Sequence, residues 1–181
     1  MFHSRERVCT RRRSLFNGRV SKNQSADSTP ATAHLHRDGI AFTAHTYVHD
    51  PRAESFGLEA AEALGLEPEL VFKTLLADVD GELVVGIVPV TTTLDLKALA
   101  SALGGKRAHM ADPVLAQRST GYVLGGISPM GQKKAHRTVI DETVELWSSV
   151  YVSGGRRGLD LELAPEDLIA VTGALIAPIA R

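Results

Sequence analysis

The stretch Phe72-Lys73-Thr74-Leu75-Leu76-Ala77-Asp78-Val79-Asp80-Gly81-Glu82-Leu83-Val84-Val85-Gly86-Ile87-Val88-Pro89-Val90 holds two apolar runs, Phe72 to Val79 and Glu82 to Val90. Asp80-Gly81 stands between them and signals a tight hairpin. The second run has too few residues to cross a membrane and is interrupted by Gly86 and Pro89, so it reads as a buried strand. Lys73 is out of place in the first run. A charge there is costly unless it lines a cavity or finds a partner, which makes Lys73 a site candidate; the plain alternative is an edge strand with Lys73 in solvent.

Outward from the hairpin, helical and extended segments mix without a strict βαβ repeat. Upstream, Ile40 to Val48 alternates enough for a strand that Asp50-Pro51 ends. Leu58 to Leu64 predicts a helix, with Gly65 as its stop. Downstream, Leu94 to Leu103 is a second helix, with Leu96, Leu99 and Leu103 on one face. Asp112-Pro113 opens a third that closes near Gly121. Tyr122 to Leu124, Thr138 to Ile140 and Val150 to Val152 read as short strands, and Glu142 to Trp147 as a helical turn. Ser153 to Gly158 reads as a tight loop. Leu159 to Leu163 alternates as a strand with Asp160 and Glu162 on one face, and Pro165 opens a last helix that stops at Gly173. Hairpins with interspersed helices predict an α+β domain with a mixed sheet.

Length and composition are compatible with this. The chain has 181 residues, enough for one domain with a real core, and 44% of them are apolar. No apolar run is long enough to span a membrane. The one cysteine, Cys9, excludes an intrachain disulfide and fits a reducing cytoplasm. Residues 1–25 carry seven Arg and Lys and one acid. Taking these from the totals of 20 and 21 leaves 13 basic and 20 acidic residues, a net of −7, in residues 26–181. A sequence-blind nucleic-acid binder is usually basic, so any RNA contact needs a local cationic face or a partner.

Residues 1–32 are rich in Arg, Ser, Thr and Asn and lack apolar periodicity, which predicts a disordered basic extension before a domain over 33–181. Three roles remain open for it: an RNA-touching tail, a transit peptide, or an extension without function. Two glycine-rich segments follow strands: Gly125-Gly126-Ile127-Ser128-Pro129 and Ser153-Gly154-Gly155. Backbone N–H groups in such loops can cradle an oxyanion or phosphate, although ordinary turns look the same. Arg118, Lys133, Lys134, Arg137, Arg156 and Arg157 lie beside them in sequence and give the body a cationic face if the loops converge. His34 with His36, or His45 with His49 and Asp50, could be metal pairs, but no helical HExxH or Cys/His spacing supports this. Ser128 precedes a proline and lies outside a G-x-S-x-G elbow.

Several segments together resemble the YbaK-type aminoacyl-tRNA editing family. They are His45-Thr46-Tyr47-Val48-His49-Asp50-Pro51, Phe72-Lys73-Thr74-Leu75-Leu76, Met110-Ala111-Asp112-Pro113, Thr120 through Pro129, Gly131-Gln132-Lys133-Lys134, and Val152 through Leu159. The resemblance covers about residue 33 to the C-terminus. It implies an α+β domain with a mixed, partly barrel-like sheet flanked by helices. It also implies a deacylase that removes cysteine from Cys-tRNA(Pro), and possible action on Cys-tRNA(Cys), with prolyl-tRNA synthetase as partner and no cofactor or metal. In the implied mechanism the substrate's own thiol attacks its ester. Lys73 would contact the terminal adenosine or its phosphate, and the Gly125 backbone would hold the aminoacyl group. Tyr47, Phe56 and Thr74 would shape the pocket. Ser153 and Asp160 would line it, with Asp160 toward the α-amino group, and Gly126, Ser128, Gly154 and Gly155 complete the implied binding set. Two alternatives stay open: an editor of Ala-tRNA(Pro), and a non-catalytic module binding a nucleotide or tRNA end.

Overall fold

In a computed structural model that describes residues 28–53 and 55–181, the chain doubles back at Asp80-Gly81. Both residues have positive φ, 53° and 95°, as a two-residue hairpin turn requires. The turn joins β2 (Val71–Val79) to β3 (Glu82–Pro89) in register from Phe72↔Pro89 to Val79↔Glu82. Around this hairpin are β1 (Thr43–Thr46), β4 (Ala108–Met110), β5 (Thr138–Asp141), β6 (Val150–Arg156), β7 (Leu159–Leu163) and β8 (Leu175–Ala177). The eight strands form one mixed sheet in the order β1-β7-β6-β2-β3-β5-β8, with β4 also paired to β2. The β2–β6, β3–β5 and β5–β8 pairs are parallel, and the others antiparallel.

The central hairpin is largely apolar because both of its faces are covered. Phe72, Leu76, Val85 and Ile87 belong to one buried cluster with Leu159, Leu161, Leu163 and Leu168. Ala77, Val79, Val84 and Val88 belong to another with Leu94, Leu99 and Leu103. A strand buried on both faces cannot alternate. Among the described residues five α-helices flank the sheet: α1 (Pro30–Asp38), α2 (Phe56–Leu64), α3 (Leu96–Ala102), α4 (Pro113–Thr120) and α5 (Pro165–Thr172). The Asp112 side chain caps α4 by accepting from the N–H of Val114 and Leu115, and Gly65, Gly121 and Gly173 end their helices in the left-handed conformation.

The sequence reading needs correction at four places. Residues 28–32, assigned to the extension, belong to the folded domain. Thr29 and Thr32 form a reciprocal cap, Pro30 starts α1, and the Thr29 hydroxyl donates to Gly154 O on β6 at 2.6 Å. The rest of the predicted extension, residues 1–27, lies outside the described residues. The first strand is confined to Thr43–Thr46. Tyr122 to Leu124 is not a strand: the Tyr122 hydroxyl donates to Met130 O and the Leu124 N–H to the Gln117 side chain, which fixes an irregular turn. Ser153 to Gly158 is mostly strand. β6 continues to Arg156 through an irregularity between Ser153 and Arg156, and only Arg157-Gly158 turns.

Candidate active site

The site begins with a split in the sheet. One edge of β2 pairs with β6 at Val71 and Phe72, and with β4 at Ala77, Asp78 and Val79. Between these pairings no strand among the described residues pairs with Lys73 to Leu76 on that edge, and a cavity of about 440 Å³ opens there. Consecutive strand residues point to opposite faces. Lys73, Thr74, Leu75 and Leu76 nevertheless all line the cavity, because it wraps the bared edge and not a single face.

Cross-strand register brings the polar groups together. Asp160 on β7 lies opposite Ser153 on β6 and opposite His45 on β1. Paired residues share a face, so one rank of side chains crosses three strands. Asp160 is 5% exposed, and burial pushes its carboxyl up to about 6, against a smaller opposing pull from His45. Burial also pushes the Tyr47 phenol up to about 12, with the charges of Asp160 and Glu59 adding to it, so this group keeps its proton and can donate. Lys73 spends two of its three donors on Thr92 O and Val90 O, and burial pulls its ammonium below the ordinary lysine value. Thr74 Oγ1 is buried without a hydrogen-bond partner.

The opposite wall is built by close backbone approach. Gly125 has φ +79°, and a Cβ there would stand 2.7 Å from the Phe56 ring. The Arg157 guanidinium lies 4.9 Å from the centroid of that ring, and its Nε donates to Leu124 O at 3.0 Å. His49, hydrogen-bonded to Glu59 at 2.9 Å, packs 5.7 Å from Phe56 and steadies α2. An apolar cavity with a few convergent polar groups suits a small amphiphilic ligand carrying a positive charge.

Residues 51–171 match the family described as aminoacyl-tRNA editing domain. The chain belongs to this family. A protein of Enterococcus faecalis, provisionally named the Cys-tRNA(Pro)/Cys-tRNA(Cys) deacylase EbsC, is 40% identical over 121 residues, which are 66% of this chain and 73% of the relative. A structure provisionally described as a trans-editing enzyme for prolyl tRNA synthetase superposes with a TM-score of 0.74 at 24% identity, covering 87% of this chain and 98% of its own. A hypothetical protein, APE2540, gives 0.76 at 23%, covering 84% and 100%. At those identities the two structures show the fold alone. As an editing domain the chain is an aminoacyl-tRNA deacylase, and its substrate is tRNA.

Of the editing-site residues expected from sequence, Tyr47, Phe56, Lys73, Thr74, Gly125, Ser153 and Asp160 line the cavity. Four do not. Ser128 is fully buried and its Oγ accepts from Met130 N, so it shapes the loop. A Cβ on Gly126 would stand 2.9 Å from Arg156 Cα, so this glycine lets the two glycine-rich segments touch. Gly154 packs under Leu159 and Gly155 against Tyr122. The two segments therefore meet through close glycine contacts, with Gly125 and Ser153 of the same segments on the cavity. The metal alternative is not assembled: His45 bonds Glu162, His49 bonds Glu59 and Asp50 bonds Arg52. Among the described residues no three His, Cys, Asp or Glu gather to hold a metal ion, and no helix is long and apolar enough to cross a membrane. Sequence reading missed the apolar rim, Met110, Pro113 and Leu124. Their exposure was the signal, and it is visible only in the fold.

Proposed function

We propose that this editing domain removes cysteine from mischarged Cys-tRNA(Pro) in trans, using the substrate's own thiol as nucleophile. The observation that carries the reading is the placement of Lys73, Asp160, Tyr47 and Thr74 around one cavity beside the bared edge of β2. The provisional name of the Enterococcus relative supports cysteine as the amino acid.

Asp160 faces the α-ammonium of the substrate, whose charge favours the ionised carboxylate that burial alone disfavours. Lys73 meets the terminal adenosine or its phosphate. Phe56 and Gly125 close over the aminoacyl group and limit water. The sulfur then attacks the ester carbonyl carbon. A C–S bond forms, the C–O bond to the ribose breaks, and the ribose oxygen takes up the proton the thiol gives up. The products are cysteine thiolactone and uncharged tRNA. The protein contributes orientation and electrostatics. Cysteine and proline are similar in bulk, so a synthetase pocket separates them poorly and a second site is required. The net negative charge of residues 26–181 disfavours RNA binding by this part alone, and association with prolyl-tRNA synthetase would supply the missing affinity.

The test is deacylation of Cys-tRNA(Pro) by wild type and by Lys73→Ala, with Ala-tRNA(Pro) alongside. The expected result is rapid loss of cysteine only, reduced by about 10²-fold or more in the variant. Equal cleavage of Ala-tRNA(Pro) would rule out thiol attack, because alanine has no nucleophile to offer.

A further inference from the structure

The bared edge of β2 has a polarity that strand geometry fixes. In a strand, the N–H and C=O of one residue point to the same side, and successive residues alternate sides. Leu76 O accepts from Ala111 N, which places the backbone groups of Leu76 on the edge toward β4. On the other side, Val71 O accepts from Val90 N, toward β3. Across the hairpin, Val85 N donates to Arg137 O, away from its partner Leu76, which fits the same phase. Counting back by two from Leu76, the N–H and C=O of Thr74 point into the split. The ladder to β6 ends at Phe72↔Val152 and that to β4 at Ala77↔Met110, so neither strand reaches Thr74 among the described residues. The Thr74 hydroxyl is also buried without a partner. Thr74 is half-buried, with its main chain facing the split beyond the ends of both ladders and a hydroxyl that finds no partner among the described residues; such a set of polar groups is costly unless a ligand completes it.

Resting on the reading above, we propose that the main chain of Thr74 binds the aminoacyl ester as a one-residue β-bridge. An α-amino ester carries its ammonium N–H and its carbonyl oxygen in the same relation as a residue in a strand. The Thr74 N–H donates to the ester carbonyl oxygen, and the Thr74 C=O accepts from the α-ammonium. As sulfur adds to the carbonyl carbon, negative charge builds on that oxygen, and the Thr74 N–H is a fixed donor waiting for it. Side chains of bridged residues share a face. The pairing therefore sets the substrate's side chain beside Thr74 Oγ1 and fixes which face of the carbonyl the thiol can reach. It also explains why the site is read through backbone: the strand supplies a donor that no side-chain substitution removes.

The test replaces the Thr74 amide by an ester, introducing the α-hydroxy analogue of threonine at position 74 of the full chain. The expected result is a fall in kcat on Cys-tRNA(Pro) of about 10²-fold, with KM changed far less, because the donor meets charge that develops only in the transition state. Thermal stability should fall less than at Leu75, since the lost N–H faces the split and only the Lys73 carbonyl, now an ester facing β3, is a weaker acceptor. The same replacement at Leu75, whose N–H points to β3, should lower stability and serves as the control. Activity within twofold of wild type would overturn the proposal while leaving the deacylase reading intact. A stability loss at Thr74 equal to that at Leu75 would also overturn it, by showing that the N–H already has a ladder partner. A wild-type protein that releases cysteine from no tRNA would overturn both.

Discussion

Single residues divide here between those that stabilise the fold and those that are held at its expense. Asp160 belongs to the second kind. Its folded value of about 6 lies above the ordinary aspartate value of 3.8. A carboxyl raised on folding adds stability while protonated in the fold, and that contribution is lost as pH rises through about 6. Relative to Asp160→Asn, the wild type should therefore lose on the order of 2 kcal/mol between pH 4 and pH 7, read by denaturant titrations of both. Activity should run the other way. Deacylation should rise through about pH 6 as the carboxylate forms, and this step should vanish in Asp160→Asn. Thr74 makes a matching case, because its hydroxyl is buried and unpaired. Thr74→Val keeps the shape and removes that cost. The variant should gain roughly 1 kcal/mol of stability and lose deacylase activity, a dissociation that melting followed by Trp147 fluorescence and a deacylation assay would show. Lys73 was legible as a candidate because a charge in an apolar run needs a reason, whereas Asp160 was a candidate only through the family resemblance. The unpaired state of Thr74 was not legible, because it depends on where β6 and β4 stop.

Elements were readable wherever the signal was local. The hairpin turn, the capped start of α4 and the glycine stops of α2 and α5 follow from neighbouring residues alone. The reading failed where the signal was distant. α1 buries only Ala31, Thr32 and Leu35, too few to announce a helix by periodicity, and is tied down by Thr29 reaching Gly154. For the glycines of the two loops, anion cradles and ordinary turns were both open from sequence; in the fold Gly126 serves a contact between segments about thirty residues apart. Gly126→Ala would press its methyl on Arg156 Cα and Arg157 N, backbone atoms that cannot rotate aside. The loops would separate, at a cost of about 1–3 kcal/mol. Deacylation should fall as well, since Gly125, Phe56 and Arg157 form one wall. A structure of the variant showing unmoved loops would refute this.

For the molecule as a whole, the sheet is closed on its C-terminal side by one carboxylate. Asp141, 2% exposed at the end of β5, accepts from Thr143 N and Oγ1 with one oxygen and from Ile179 N and Ala180 N with the other. It ties the last residues across α3, where Ile179 packs with Leu94 and Leu99. Asp141→Ala strands four donors and should cost about 3 kcal/mol or more in denaturant titrations. Because Asp141 does not line the cavity, activity measured well below the melting range should survive. The sequence by itself determined the α+β class, the central hairpin and most helices, because turn chemistry, capping and apolar spacing act over a few residues; apart from Lys73 and the glycine-rich segments, the candidate site residues came with the family resemblance. Only the tertiary structure decided that β2 is left bare between β6 and β4, that Gly126, Ser128, Gly154 and Gly155 lie off the cavity lining, and that Asp160 is buried enough to shift. Those outcomes depend on strand register and on which segments meet, and both are settled by contacts between residues far apart in the chain.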